Sequence, residues 1–448
     1  AFLPVPGDEG DGPPLGEERE RALHLADSQR EFPCYDLFDI HDFRGFTVLN
    51  GWTWQTPEDY PPGASAPRHT GKKSFPPGPF LWFNAAVMIR SPNLERLLRD
   101  VSRSFYLTLA ILPRAIKPQL RLAYLLARAT DTVADTEGVP AGRRREILAA
   151  MGAAIRDCGA GRRAAAPDLA ELLARPGPTE GERRLLRHFG EVLGRLRDFD
   201  AEDRAEIAGV LETITAGQDA DLLRFGGCGP DRIGALDSDE ELQLYTYRVA
   251  GCVGEFWTSL CLRRLFPGAV ADRERLLEDA VRFGRGLQLV NILRDLPKDL
   301  AAGRCYIPSR RMAKYGLRPA DILDARYWRL FRPLYARYLG EAEEHLAAGW
   351  RYTTALPFRS VRVRLASAWP LLIGVRTLGL LRSAEVTGGA ARVKVGRGAV
   401  RGLLLRSLLL YPFRAKWDRL FDEARALTSA PPPGGSENGA PPPPARPR

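Results

Sequence analysis

From Met88 onward, apolar residues recur at intervals of three and four nearly to the end of the chain, the spacing of one face of an α-helix. Gly and Pro clusters at Gly138–Pro140, Pro176–Pro178, Gly226–Pro230 and Pro267–Gly268 punctuate these runs. No strand-type alternation and no strand–helix–strand rhythm breaks the pattern, which predicts an all-α fold in one domain over 88–428. Residues 1–87 read differently: they are rich in Pro and Gly, acidic at the start, and hold strand-like fragments such as FTVLNGWTWQ that nothing sustains. Either they are a non-native extension and Met88 is the natural start, or they are a poorly ordered extension. The Pro-rich stretch 429–448 is expected to be disordered.

Two of the predicted helices are too apolar to lie on a surface, yet each carries a polar stripe. In PQLRLAYLLARATDTVADTEG, Pro118 suits a first helical position and Gly138 a stop. Tyr124, Arg128, Asp131 and Asp135 follow at spacings of four, three and four, on one stripe of an otherwise apolar helix. Unpaired carboxylates are costly to bury, so such a stripe has to line something polar. Two carboxylates at i,i+4 repel unless a cation lies between them, and oxygen ligands of this kind suit Mg²⁺ with substrate phosphate completing its shell. The arrangement recurs in GRGLQLVNILRDLPKDLAAGRCYIP, where Gln288, Asn291, Asp295 and Asp299 fall at three, four and four. Two such helices facing across a cavity could hold divalent ions and clamp a diphosphate, whose departure needs its developing charge neutralised. Pro297 removes a helix hydrogen bond just after Asp295, so the helix either bends there or starts a new turn at Asp299.

Composition narrows the choice of partner. The 448 residues are 45% hydrophobic and 27% charged, with a formal net charge of +10. That excess suits an anionic partner, and because the basic residues are dispersed, a phosphorylated substrate fits better than nucleic acid. Six cysteines (Cys34, Cys158, Cys228, Cys252, Cys261 and Cys305) form no CxxC pair, and five histidines form no ligand motif; the cysteines read as small buried apolar residues in a reducing, cytoplasmic setting. No run reaches the roughly 18 uncharged apolar residues of a spanning helix. Arg401–Leu427 is apolar, basic and interrupted by Pro412, and reads either as a closing helix or as a peripheral contact with lipid.

Five segments in order, SRSF (Ser102–Phe105), YLLARATDTVAD (Tyr124–Asp135), YTYRVAGCVG (Tyr245–Gly254), QLVNILRDLPKD (Gln288–Asp299) and GRCYIP (Gly303–Pro308), resemble the squalene/phytoene synthase family over about 88–410. The resemblance implies a single helical bundle around a central cavity. It implies Mg²⁺ at Asp131, Asp135, Asp295 and Asp299, and diphosphate contacts from Ser102, Arg103, Tyr124, Arg128, Gln288, Asn291, Arg294 and Arg304. Tyr245 matches a tyrosine tied in such proteins to the first ionisation or to proton loss; a core tyrosine with a satisfied hydroxyl is the plainer reading. VKVGRGAV (Val393–Val400) resembles a basic loop that contacts phosphate or a nicotinamide cofactor, through Lys394 and Arg397. The implied reaction joins two farnesyl diphosphates through presqualene diphosphate to squalene, with NADPH as hydride donor. The segment YTYRVAGCVG favours squalene; phytoene from geranylgeranyl diphosphate, or a reaction stopping at presqualene diphosphate, are the alternatives. There is no GxGxxG dinucleotide fingerprint, so NADPH would have to bind in the helical pocket. A non-catalytic assembly factor of the same fold is the reading from a different class, which four retained aspartates disfavour.

Overall fold

The structure, a computed structural model, describes residues 92–102, 105–270, 272–387 and 393–426. The extension, the tail, Cys34 and Arg103 lie outside them. The fold is all-α, as the periodicity predicts. Its principal helices are α1 (Pro92–Ser102), α2 (Phe105–Ile111), α3 (Lys117–Asp135), α4 (Ala141–Gly159), α5 (Glu180–Arg187), α6 (Ala201–Phe225), α7 (Asp239–Thr246), α8 (Cys252–Arg264), α9 (Arg273–Ala301), α10 (Trp328–Ala355), α11 (Val361–Arg382) and α12 (Arg397–Leu410). Shorter helical turns join them.

Local chemistry sets the boundaries of the two helices that matter most. Helix α3 has Pro118 in its first turn, where a missing N–H costs nothing, and Gly138 beyond its end takes φ 79°, a conformation open to glycine. Helix α9 starts where the Asp272 carboxylate accepts from the Arg275 amide at 2.9 Å. It then runs helical through Pro297 to Ala301. Pro297 leaves the Leu293 carbonyl without its helical donor, and the buried Tyr335 hydroxyl of α10 donates to that oxygen at 3.0 Å. Asp299 therefore stays on the same helix as Asp295. Tyr335→Phe is expected to strand the carbonyl and cost about 1–3 kcal/mol, read as a lower urea midpoint at unchanged slope.

Helix α9 is the centre of the bundle, packed by α8, α10 and α11. Two apolar clusters fill the space on either side, both touching Ile111 and Phe283. Between α7 and α8 the chain widens into a π turn, Tyr247–Gly251, which then continues as α8. This stretch crosses α9 at very close range. A Cβ on Gly254 would lie 2.1 Å from the Ala280 carbonyl oxygen, and one on Gly284 would lie 2.3 Å from that of Ala250. Only hydrogen fits at either point.

The periodicity predicts no strand, and the described residues hold one short exception. Gly234–Ala235 (β1) pairs in parallel with Arg304–Cys305 (β2), in the register Gly234↔Arg304 and Ala235↔Cys305. Two residues are too few to leave an alternation signal, yet the pairing fixes the backbone that carries Arg304. One helix among the described residues, α11, is long and apolar enough to span a membrane, and that stretch is 89% buried inside the bundle. Four of the cysteines (Cys158, Cys252, Cys261 and Cys305) are buried and unpaired, and Cys228 is half-buried.

Candidate active site

Helices α3, α6, α7 and α9, with β2, enclose a polar cavity of about 400 Å³. Asp131 and Asp135 line it from α3, Asp221 and Gln218 from α6, Tyr245 from α7, Lys298 from α9, and Arg304 and Tyr306 from the β2 segment. Asp299, fully buried, lies behind Arg304, with Oδ1 3.5 Å from the guanidinium. A second cavity of about 140 Å³ is almost wholly apolar, walled by Phe105, Trp257, Phe283 and Tyr352 with Val249, Val253 and Leu287. Val249, in the π turn, lines both.

The structure sorts the sequence-derived residues into groups. Arg128 is buried and bridges two acids: it donates to Asp131 at 2.9 Å and to Glu182 of α5. Glu182 in turn accepts from the Thr179 amide at 2.7 Å, so the N-terminus of α5 holds Arg128 in place. The Tyr124 hydroxyl donates to the Val101 carbonyl at 3.1 Å, and its ring stacks on Phe105. Ser102 turns its hydroxyl back onto the Leu98 carbonyl of its own helix. Gln288 and Asn291 face the apolar cavity and meet each other at 3.4 Å. Asp295 is gripped by both arms of Arg294, at 2.9 and 2.6 Å, and does not line the polar cavity. Lys394 and Arg397 are exposed at the start of α12 and line neither cavity, so the geometry does not bring the expected nicotinamide contacts to the site.

Six contributors were not read from the sequence: Arg144, Gln218, Asp221, Lys298 and Tyr306, which line the polar cavity, and Glu182, which holds Arg128. Asp221 accepts from the Tyr306 hydroxyl at 3.0 Å, and the Tyr306 ring stacks on Tyr245 with centroids 4.6 Å apart. Gln218 and Asp221 sit at i,i+3 in GQDADLL, the same kind of stripe that marked α3 and α9, so a signal was there. Arg144, from α4, carried none. Glu182 was legible as the T-x-x-E start of a helix but not as a site residue.

Burial dominates the electrostatics. It pushes Asp299 up to about 7 and Asp221 up to about 6, although Arg304 beside both opposes the shift. Burial also raises Asp131, with the neighbouring charge of Asp135 adding to it, and raises Asp135 itself. Among the described residues no three carboxylates converge closely enough to hold an ion by themselves. A hard cation that takes one or two carboxylates and completes its shell with water and phosphate still fits this donor set. Asp299 Oδ1, buried and accepting no hydrogen bond, has only the ion pair with Arg304 at 3.5 Å.

These shifts set a pH dependence. Unfolded aspartate titrates near about 3.9. The folded carboxyls hold their protons to higher pH, so the metal-free protein loses stability as pH rises from there to about 7. A divalent cation offsets that loss only once the groups ionise. Added Mg²⁺ is therefore expected to raise the melting temperature more at about pH 8 than at about pH 5.5; equal rises would separate binding from these carboxyls.

Comparison with known proteins places the whole chain rather than its cavity. The profile of a family described as squalene/phytoene synthase matches residues 98–399. The chain belongs to the squalene/phytoene synthase family. Members of this family are prenyltransferases that use Mg²⁺-dependent ionisation of a diphosphate. The chain is 29% identical over 312 residues to a presqualene diphosphate synthase of Rhodopseudomonas palustris, covering 68% of this chain and 92% of the relative. It is 27% identical over 329 residues to a squalene synthase of Mycosarcoma maydis, again 68% of this chain but only 53% of the relative, so it spans about half that protein's length. A shorter match, 40% over 97 residues, is to phytoene synthase 3 of Zea mays, covering 21% of this chain and 22% of the relative. In fold, it is similar to TcSQS in complex with the ligand E5700, with a TM-score of 0.57 and 22% identity over 77% of this chain and 98% of the other.

Proposed function

We propose that the chain condenses two farnesyl diphosphates head to head, through presqualene diphosphate, to squalene. The observation that carries this reading is the pairing of a carboxylate-lined cavity with an aromatic-walled one across Val249. The first suits a diphosphate and the second a prenyl chain.

In this reading Asp131, Asp135, Asp295 and Asp299 would hold Mg²⁺, with Arg294 holding Asp295 in place from the same helix. The metal supplies charge neutralisation for the leaving diphosphate. Arg304 and Lys298 grip the diphosphate oxygens, with Arg128 behind them, and Gln288 and Asn291 mark the passage into the apolar cavity. The rings of Phe105, Trp257, Phe283 and Tyr352 exclude water from the allylic cation and offer it their π faces. Tyr245 faces the reacting carbons, positioned by its stack on Tyr306. The two carbon skeletons join at C1 of one and the 2,3-double bond of the other, and loss of a proton closes the cyclopropane. NADPH would then deliver hydride in the second half, although Lys394 and Arg397 lie away from the cavities. Substrates and a product this apolar favour an enzyme working against a membrane, in the cytoplasm.

A second reading has its own support: the Rhodopseudomonas palustris relative, matched over most of its length, is a presqualene diphosphate synthase. The test is incubation of the purified protein with Mg²⁺ and farnesyl diphosphate, with and without NADPH. Squalene only with NADPH supports the full reaction. Presqualene diphosphate in both tubes selects the first half alone. Turnover of geranylgeranyl diphosphate and not of farnesyl diphosphate would replace both with phytoene synthesis. No turnover of either, with the chain folded, returns the assembly-factor reading.

A further inference from the structure

Helix α12 is apolar on two faces, and only one of them is used. Its inner face carries Val400 and Ser407 into the bundle. Val400 packs on Ile373 of α11, and the indole N–H of Trp369 donates to the Ser407 hydroxyl at 3.0 Å. The chain then turns back, so that the Trp417 indole donates to the Ser407 carbonyl at 3.1 Å. These contacts fix which side of the helix points outward.

The outward side repeats every four residues: Arg397, Arg401, Leu405, Leu409, and then Phe413 in the following turn. Leu405 is 49% exposed, Leu409 65% and Phe413 57%. Three of the ten large apolar side chains exposed among the described residues thus fall on this single stripe. Ordinary surfaces scatter such residues singly. The charge along this segment is mostly basic, with Arg406 and Arg414 paired to Glu423 and Asp418 at 2.6 and 3.8 Å. From Val393 to Trp417 there are six basic residues (Lys394, Arg397, Arg401, Arg406, Arg414 and Lys416) and no acidic one. The Lys416 ammonium sits 5.4 Å from the centre of the Phe413 ring, which puts a cation beside the outermost apolar group.

We propose that this face is a docking surface for an anionic lipid bilayer, with Leu405, Leu409 and Phe413 entering the headgroup–acyl boundary and the surrounding Arg and Lys side chains meeting lipid phosphates. An acidic protein groove would match the charge but would have to supply its own apolar slot. A bilayer supplies both along the whole stripe. The surface lies on the far side of α11, whose Ala366, Ser367 and Pro370 line the apolar cavity, so the lipid would sit one helix away from the prenyl site. The proposal does not depend on which prenyl product is made.

The experiment is vesicle sedimentation of the full chain, using phosphatidylcholine alone and phosphatidylcholine with phosphatidylglycerol, for the native protein and for Leu409→Glu with Phe413→Glu. Sedimentation velocity and melting curves accompany both proteins. Expected results are binding to the phosphatidylglycerol vesicles that weakens with salt, a loss of at least about tenfold in the double variant, and an unchanged melting temperature. No binding to anionic vesicles overturns the proposal, as does equal binding by native and variant protein. A dimer that the variant dissolves would make the face a contact between copies of this chain. A lower melting temperature in the variant would show that another part of the chain covers the face. Either result also overturns the proposal.

Discussion

Replacing Asp131 by Asn is expected to lower turnover by at least about a thousandfold while raising the melting temperature of the metal-free protein. The two effects share one origin. Asp131 is 4% exposed, faces Asp135 across one helical turn, and is held above the usual carboxylate range by that burial. Arg128 offsets only part of the cost, because it also answers Glu182. An Asn of the same shape keeps an oxygen for Arg128 but ends the repulsion, and with it the site's appetite for a cation. Stability bought this way at the expense of activity is the ordinary trade at a functional site. Asp295→Asn should behave in the opposite sense for stability. Asp295 is clamped by the buried Arg294, and the variant loses this charge-assisted pair, at a cost of about 1.5–3 kcal/mol. Steady-state kinetics and metal-free melting curves on both variants check the pair. Activity within about tenfold of native in Asp131→Asn would sink the metal-clamp reading.

Gly254→Ala is expected to destabilise the protein by about 3 kcal/mol, the upper end of the overpacking range, although it adds one methyl group. The new carbon would meet the Ala280 carbonyl at 2.1 Å, and a backbone oxygen inside α9 has no rotamer by which to retreat. The only relief is for α8 to move away from α9. That motion would also shift Val253 and Trp257, which α8 presents to the apolar cavity. Gly284→Ala pushes on the same crossing from the other side, against Ala250. Because one separation of the helices relieves both clashes, the double variant should lose clearly less than the sum of the singles. Urea unfolding of the three variants measures this, and strict additivity would mean that the contacts yield independently.

The helical architecture and the carboxylates of α3 and α9 were legible because periodicity reports a helix face, and a polar stripe on a buried helix is an anomaly within one segment. Most of what was missed depends on other segments. Asp221 and Arg144 come from α6 and α4, and the sequence does not say that these helices meet α3 at one cavity. Tyr335 answers the carbonyl that Pro297 orphans from 42 residues away, so the doubt about a bend at Pro297 could not be resolved locally. Two groups of residues singled out by resemblance lie in different places. Tyr245 does line the polar cavity, whereas Lys394 and Arg397 lie exposed at the start of α12. The resemblance at VKVGRGAV rests on a short basic motif, and basic motifs are common on surfaces.

The π turn at Tyr247–Gly251 holds one residue more than an α-helical turn would. Deleting that residue would rotate everything after it by about 100° relative to α7, carrying Gly254 off the Ala280 carbonyl and placing a side chain there instead. Length variation in this chain is therefore tolerable in the loops between helices and forbidden here. The residue count between Tyr245 and Gly254 is as much a part of the site as the residues themselves.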